Sequence, residues 1–426
     1  MKSYLVAGVM LLGLGSMAEA QEAPLSSAPT FGFSLPSVEG TLNYSLSASE
    51  SYLTGYQNSG TNTTTSLSGN LGYLSSSPNK PFSLVYSGGY LYSTVPGYPG
   101  STTFQNLAAS QVVTTKNWNF VVDDAVSYLP ESPTTGLSGI PGVGDIGVTP
   151  VQIGDVPTQS IFTNYATRLG NGLNGSATRK INASWALNGS ASWQILHFFG
   201  NGGINSSIET GSAGPSYRIN ARSSASANVT YSYTNDKYLG TSYPFEAEGI
   251  TLQYQRQLSR FFSVAVSGGP QRTFGSGTTA SLIPSTITGV GTASLSYSRQ
   301  RTTMTVGYTR ATNSGSGVVL GALTDSISGS VRQQFSRNWQ GALTASYSQS
   351  KSLSNLAGVD QNYDSTYGGG QVSRRLGREF SGYFSYTAVT QSENNPGVTQ
   401  TVFNGLSQVL AVGVTYSPST IHLGKF

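Results

Sequence analysis

A chain of 426 residues with only 9% charged side chains and a formal net charge of +4 would make a poor soluble surface, because globular domains carry about 25% Asp, Glu, Lys and Arg. The absence of cysteine removes disulfides, thiolate metal sites and a Cys nucleophile, and so small a positive charge leaves no footprint for nucleic acid. Beyond the N-terminus no stretch approaches 18 consecutive apolar residues, so helices cannot cross a bilayer here, and a closed barrel is the other way to satisfy every backbone group in lipid.

In chain order, residues 1–20 read as a secretory signal peptide. Lys2 gives the basic start, Leu5 to Leu14 the apolar stretch and Ala18-Glu19-Ala20 the small-residue cleavage site. Residues 21–38 then form a periplasmic N-terminal segment, 39–417 the barrel and 418–426 a C-terminal tail. Strict alternation of apolar and polar residues marks strands with one face on lipid and the other on a lumen. It is weak around 82–93 and becomes regular at Trp118, Phe120, Val122, Val126 and Tyr128. In that last stretch Asp123-Asp124 interrupts the pattern. Asp123 is assigned to the lumen. Asp124 falls on the lipid parity, and a bulge or the adjacent loop is expected to turn it into water.

Residues 129–163 form the longest connection. Five prolines and many glycines there are interleaved with aliphatics that include Ile146 and Ile153. Aliphatics in an exposed loop need something to bury against, so this loop is expected to fold inward as a constriction or gate, with a mobile surface loop as the other reading. Asp123, Asp145, Asp155, Ile146 and Ile153 are the pore and gating candidates. The glycine-rich stretch Gly142 to Gly147 inside it resembles a dinucleotide fingerprint only by accident, since no helical period flanks it.

Alternation is cleanest at Ile181 to Ile195, Ala225 to Tyr233 and Trp339 to Tyr347, with weaker copies at 249–258, 302–309, 380–387 and 410–416. Trp118, Trp185, Trp193, Trp339 and Tyr347 are assigned to the interfacial aromatic girdles. His197 closes the first of these strands; with no fixed partner among scores of serines it is read as an interfacial residue and not a catalytic base. Short connections carry a basic residue just before an aromatic, and long ones, such as 235–247, 270–288, 350–363 and 391–402, are rich in Gly, Ser, Thr, Asn and Pro. Short turns belong in the periplasm and long loops outside the cell. Nine long loops give an all-β, transmembrane, antiparallel up-and-down β-barrel of about 18 strands, or 16 if the weak strands near 104–113 and 209–220 merge or vanish. A spacing of roughly 40 residues per repeat would also suit a β-propeller, but that fold needs ordinary surface charge.

Arginine gathers at the short turns. Arg256, Arg260, Arg332, Arg337, Arg374 and Arg378 are assigned to the periplasmic mouth, either anchoring in lipid headgroups or attracting anionic solutes. The turns Arg-Gln-Leu-Ser-Arg-Phe-Phe (256–262) and Arg-Arg-Leu-Gly-Arg-Glu-Phe (374–380), each followed by an amphipathic strand, resemble those of the β-barrel porins encoded within bacterial exopolysaccharide gene clusters. That resemblance implies a part in polysaccharide export or a general pore and brings no catalytic residue. Such barrels end in a terminal aromatic; here the last strand stops near Tyr416, Pro418 obstructs its continuation, and Phe426 is last.

The functional expectation is an outer-membrane channel for hydrophilic solutes or a polysaccharide chain, gated by the 129–163 loop. A structural or adhesive barrel presenting its loops is the alternative, and an outer-membrane hydrolase a third. No cofactor and no metal are called for. The expected partners are outer-membrane lipid, the barrel-assembly machinery and a periplasmic export partner.

Overall fold

The computed structural model describes residues 40–55, 61–75, 81–94, 100–130, 161, 167–199, 203–354, 361–394 and 403–424. The strands are β1 (Gly40–Thr54), β2 (Asn62–Ser75), β3 (Phe82–Ser93), β4 (Ser101–Thr114), β5 (Trp118–Pro130), β6 (Thr167–Lys180), β7 (Trp185–Phe199), β8 (Asn205–Asn220) and β9 (Ser223–Tyr238). They continue with β10 (Thr241–Gln257), β11 (Phe262–Gly275), β12 (Thr286–Arg299), β13 (Thr302–Asn313), β14 (Ala322–Gln334) and β15 (Trp339–Ser352). The last are β16 (Asn362–Arg375), β17 (Phe380–Glu393), β18 (Gly405–Tyr416) and the short β19 (Ile421–Leu423).

Each strand from β1 to β18 pairs antiparallel with the next, and β18 returns to β1 with Leu46 opposite Tyr416 and Thr54 opposite Gln408. The sheet is closed, so all of its inter-strand backbone groups are paired without an edge. Both doubtful segments are full strands, β4 and β8, and the count is 18 around the wall. After Tyr416 the chain breaks at Pro418 and then resumes as β19 on the start of β1, with Leu42 opposite Ile421. The register advances by one residue across the break, where Thr420 donates to Asn43 at 2.6 Å.

Pairing fixes which residues share a face. Outward residues include Leu67, Val229, Leu252, Leu343, Val306 and Val412, all exposed large apolar side chains; an apolar surface of this extent needs lipid, not water, around it. The opposite parity carries Ser, Thr, Asn and Gln. Hydroxyls meet across neighbouring strands there, as at Ser49–Ser66 (2.6 Å), Ser190–Ser212 (2.7 Å), Ser267–Thr292 (2.7 Å) and Thr305–Ser330 (2.7 Å).

The ends of the barrel differ. At one, four turns share a geometry: the first residue's N–H reaches the carbonyl of the residue four further on, as in Ile181 to Trp185, Leu258 to Phe262, Phe335 to Trp339 and Leu376 to Phe380. In three of them a side-chain oxygen at the second position, from Asn182, Ser259 or Ser336, accepts the N–H groups that close the turn. At the other end connections vary. The expected loop at 235–247 is instead a hairpin: β9 and β10 pair through to Tyr238 and Thr241, and Leu239 (φ 48) with Gly240 (φ 81) makes the two-residue turn. Its polar residues decorate strands that extend past the lipid, a composition indistinguishable from that of a loop.

Two girdles bound the apolar band. At the turn end Trp118 stacks on Phe120 with ring centroids 5.3 Å apart, Trp185 meets Tyr217 at 4.8 Å and Phe380 meets Tyr416 at 5.1 Å. Toward the loop end a diagonal recurs, in which an outward residue bonds the strand neighbour lying two positions beyond its paired partner. Tyr231 donates to Glu246 (2.8 Å), Tyr308 to Asp325, Tyr347 to Asp364 (2.7 Å) and Tyr386 to Gln408 (2.7 Å). Ion pairs Arg272–Glu248 (3.1 Å) and Arg310–Asp325 (3.0 Å) lie on the same outer belt.

Candidate functional site

The inner face is the only concave polar surface that the fold builds among the described residues, and its loop end is partly filled. Between β13 and β14 the chain Ser314–Gly321 does not project outward; every residue in it is buried. Val318 and Val319 form an apolar cluster with Ile161, Ala322 and Tyr363, the last an inward residue of β16. Gly317 lies against the Phe198 ring of β7, where a Cβ would come within 2.2 Å, and its φ of +80° also calls for glycine. The carbonyl of Gly317 accepts from Ile204 N (2.8 Å) and that of Gly321 from Leu353 N (3.0 Å). The Gly321 N–H donates to a carboxylate oxygen of Asp236, an inward and fully buried residue of β9, at 3.1 Å. The segment therefore ties β7, β9 and the β15–β16 side of the wall together across the lumen.

A second cluster narrows the same end: Leu53, Tyr367 and Val389 face inward from β1, β16 and β17, and Phe403, from the β17–β18 connection, packs on them with Val409. Gln391 donates to the Phe403 carbonyl (2.6 Å) and accepts from Ser365 (2.7 Å). Beside it Tyr363 donates to Glu393 at 3.1 Å.

Of the pore candidates, Asp123 faces the lumen from β5, opposite Asn174 and Ser110 in register. Asp145, Ile146, Ile153 and Asp155 lie outside the described residues, as do the signal segment, residues 21–38 and Phe426. The first two residues of that long connection, Leu129 and Pro130, close β5 instead; beyond them only Ile161, at its far end, is described within it, fully buried in the cluster with Val318 and Val319. Sequence reasoning passed over Ser314–Gly321. The signal was there: Val318-Val319-Leu320 between glycines in an otherwise polar connection.

Asp124 is a correction. Register on both sides of β5 runs unbroken through it, so no bulge turns it away, and it faces outward. Asn171 of β6 donates to it, along the same diagonal that joins Tyr308 to Asp325. The polar belt on the outer wall, not a strand defect, is what accommodates the carboxylate.

The basic residues divide by parity. Arg256 and Arg374 stand two residues before the first apolar residue of their turns and face out; Arg374 sits 5.2 Å over the Trp339 ring. Arg332 stands three before Phe335, and that single residue of extra spacing puts it on the lumen side, opposite Thr303 and Ala342. Arg260, Arg337 and Arg378 occupy the turns, Arg260 at 4.8 Å from the Phe261 ring. Lys180, Arg218 and Arg375 join Arg332 on the inner face near the turn end. No carboxylate on the inner face of the strands shares that level among the described residues. Trp118, Trp185 and Trp339 belong to the turn-end girdle. Trp193 and Tyr347 lie toward the loop end, as does His197, whose ring meets Phe199 edge-on at 4.9 Å.

No family model matches this chain, and no curated protein sequence does. Among solved structures it is similar to Acinetobacter baumannii OccAB3, at 11% identity and a TM-score of 0.45 over 90% of this chain and 99% of that one. Pseudomonas aeruginosa OccK2 in complex with glucuronate aligns at 14% identity and 0.42 over 89% and 98%, and Pseudomonas aeruginosa OpdK with vanillate at 8% and 0.42 over 89% and 99%. Closed upon itself through 18 antiparallel strands, apolar outside and hydroxyl-lined within, the chain has the build of a transmembrane antiparallel β-barrel.

Proposed function

We propose that the barrel is a passive outer-membrane channel for small hydrophilic solutes, with its turn end in the periplasm and its loop end outside. The segment Ser314–Gly321 limits passage, together with the long connection at 129–163. The observation that carries this reading is the inner face itself: hydroxyls and amides in cross-strand pairs over much of the wall, interrupted toward the loop end where Val318, Val319 and Phe403 fold in and where Leu91, Phe104, Phe198 and Phe245 are buried. A wall of 18 strands is wide enough for an aqueous path, and neutral hydroxyl groups suit hydrated organic solutes better than a strongly dehydrated ion. Single-channel recording in planar bilayers tests it; folded protein that passes no current, with or without Ser314–Gly321, overturns it.

The cations at the turn end add a preference. Lys180, Arg218, Arg332 and Arg375 line one mouth of a low-dielectric tube, which focuses their field on anything entering. Anions should therefore pass more readily than cations. Replacing all four by Gln should shift the zero-current potential in a salt gradient toward the cation side and lower the anion-to-cation permeability ratio, by up to roughly 10-fold. An unchanged zero-current potential would show that these side chains serve only as headgroup anchors. Passage of a polysaccharide chain is a second reading, favoured by the same hydroxyl lining, and it requires that both apolar clusters be displaced from the path.

A further inference from the structure

Asp236, at the loop end, is a buried carboxyl group whose chemistry the channel reading leaves unused. It stands near the tip of the β9–β10 hairpin, beyond the Tyr231–Glu246 belt and so outside the lipid-spanning part of the strand. Its side chain is fully buried, one carboxyl oxygen accepts the Gly321 N–H, and the other has no hydrogen-bond partner. Ser206, directly across on β8, likewise has a buried hydroxyl with no partner.

Among the described residues, the elements packed around it bring no compensating charge. Tyr243 is opposite on β10, and Ser314–Gly321 contains no titratable residue. Lys237 faces the other side of the sheet, Glu393 is bonded to Tyr363, and Arg168 is buried on β6 with an interaction of its own. A carboxylate so placed is costly while ionised, since a single neutral donor does not replace its water. Burial accordingly holds its carboxyl well above the ordinary carboxylate range, and the Gly321 N–H offsets this only in part.

We propose that Asp236 is a proton-operated latch on the constriction: protonated, it keeps Ser314–Gly321 folded into the lumen, and ionised, it lets that segment go. This rests on the channel reading and adds its regulation. The segment is built to move as a unit. It is held by the Asp236 carboxyl at Gly321 and the Asn313 side chain at Gly315, by backbone bonds from Ile204 and Leu353 and by the packing of Val318 and Val319 on Ile161 and Tyr363, and Gly315, Gly317 and Gly321 all take positive φ. In the open state Asp236 meets water and titrates in the ordinary carboxylate range. In the closed state it titrates higher, so proton binding favours closure fully below the ordinary range, and that advantage is lost as pH rises through the closed-state value. The channel should therefore close on acidification.

Conductance across planar bilayers, with the pH of the loop side stepped from about 4 to about 8, tests this on three proteins: the natural chain, Asp236→Asn and a variant with Ser314–Gly321 replaced by a two-residue turn. Asn keeps the acceptor for Gly321 but cannot ionise. The latch requires a severalfold rise with pH in the natural chain, a low and flat response in Asp236→Asn, and a high and flat one in the shortened variant. A flat natural chain beside a conducting shortened variant overturns the latch and spares the channel. A rise that persists in Asp236→Asn overturns it too, as does closure that follows added Ca²⁺ at fixed pH in place of protons. Silence from the shortened variant overturns the channel reading and the latch with it.

Discussion

Replacing Val318, Val319 and Leu320 together by Ser should raise single-channel conductance severalfold without unfolding the barrel. The three side chains are almost wholly buried, at 7%, 3% and 2% exposure, and two of them belong to the cluster that holds the segment against Tyr363 and Ile161. Burial of an aliphatic side chain is worth about 2 kcal/mol, so the triple change removes on the order of 5 kcal/mol from the closed arrangement, an upper estimate because the released loop retains some cover. The Asp236–Gly321 bond and two carbonyl contacts that remain are each worth about 1 kcal/mol net. The wall does not depend on this segment, since β13 and β14 pair from Thr302–Gln333 through Asn313–Ala322. Heat-modifiable migration on a gel should match the natural chain while conductance rises. Equal conductance in both would mean that Ser314–Gly321 does not obstruct the path.

The second large effect lies on the outer wall. Leu343 is midway along β15 between Trp339 of one girdle and Tyr347 of the other, and it is 64% exposed, which puts it near the middle of the acyl chains. Leu343→Arg should destabilise the folded barrel by about 2–4 kcal/mol in lipid. Thr344→Arg, one residue along, faces the lumen and should change stability by less than about 1 kcal/mol. Denaturant titration in vesicles measures both. The ordering is the point: if the two variants lose equal stability, the assignment of faces on β15 is wrong.

How much of this could be read from the chain follows from the range of the interactions involved. Alternation is imposed by lipid on one side and water on the other, residue by residue, so the faces of β7, β9 and β15 were legible from Trp185, Val229 and Leu343 alone. Turns were legible as well, because Ser259 and Ser336 close them through contacts only two or three residues away. The loop end was not. Whether Asn235 to Ala247 forms a loop or a hairpin depends on pairing beyond the membrane, where composition no longer alternates. The fate of Val318 depends on Tyr363 and Ile161, both remote in sequence. Asp124 was read correctly for parity and wrongly for outcome, since its partner Asn171 is on another strand.

The distance between the two girdles has a further consequence. Trp339 and Tyr347 are separated by roughly eight residues of strand at about 3.3 Å each, inclined at about 40°, which gives an apolar height of about 20 Å. A typical hydrocarbon core is about 30 Å thick, and the bacterial outer membrane is thinner than average. The barrel is thus mismatched to ordinary bilayers: its annular lipids must shorten around it, and each added pair of acyl carbons opposes insertion. Short-chain vesicles should take up the unfolded chain faster than long-chain ones, and the elastic strain of that collar is a force pressing neighbouring barrels together in a thick membrane.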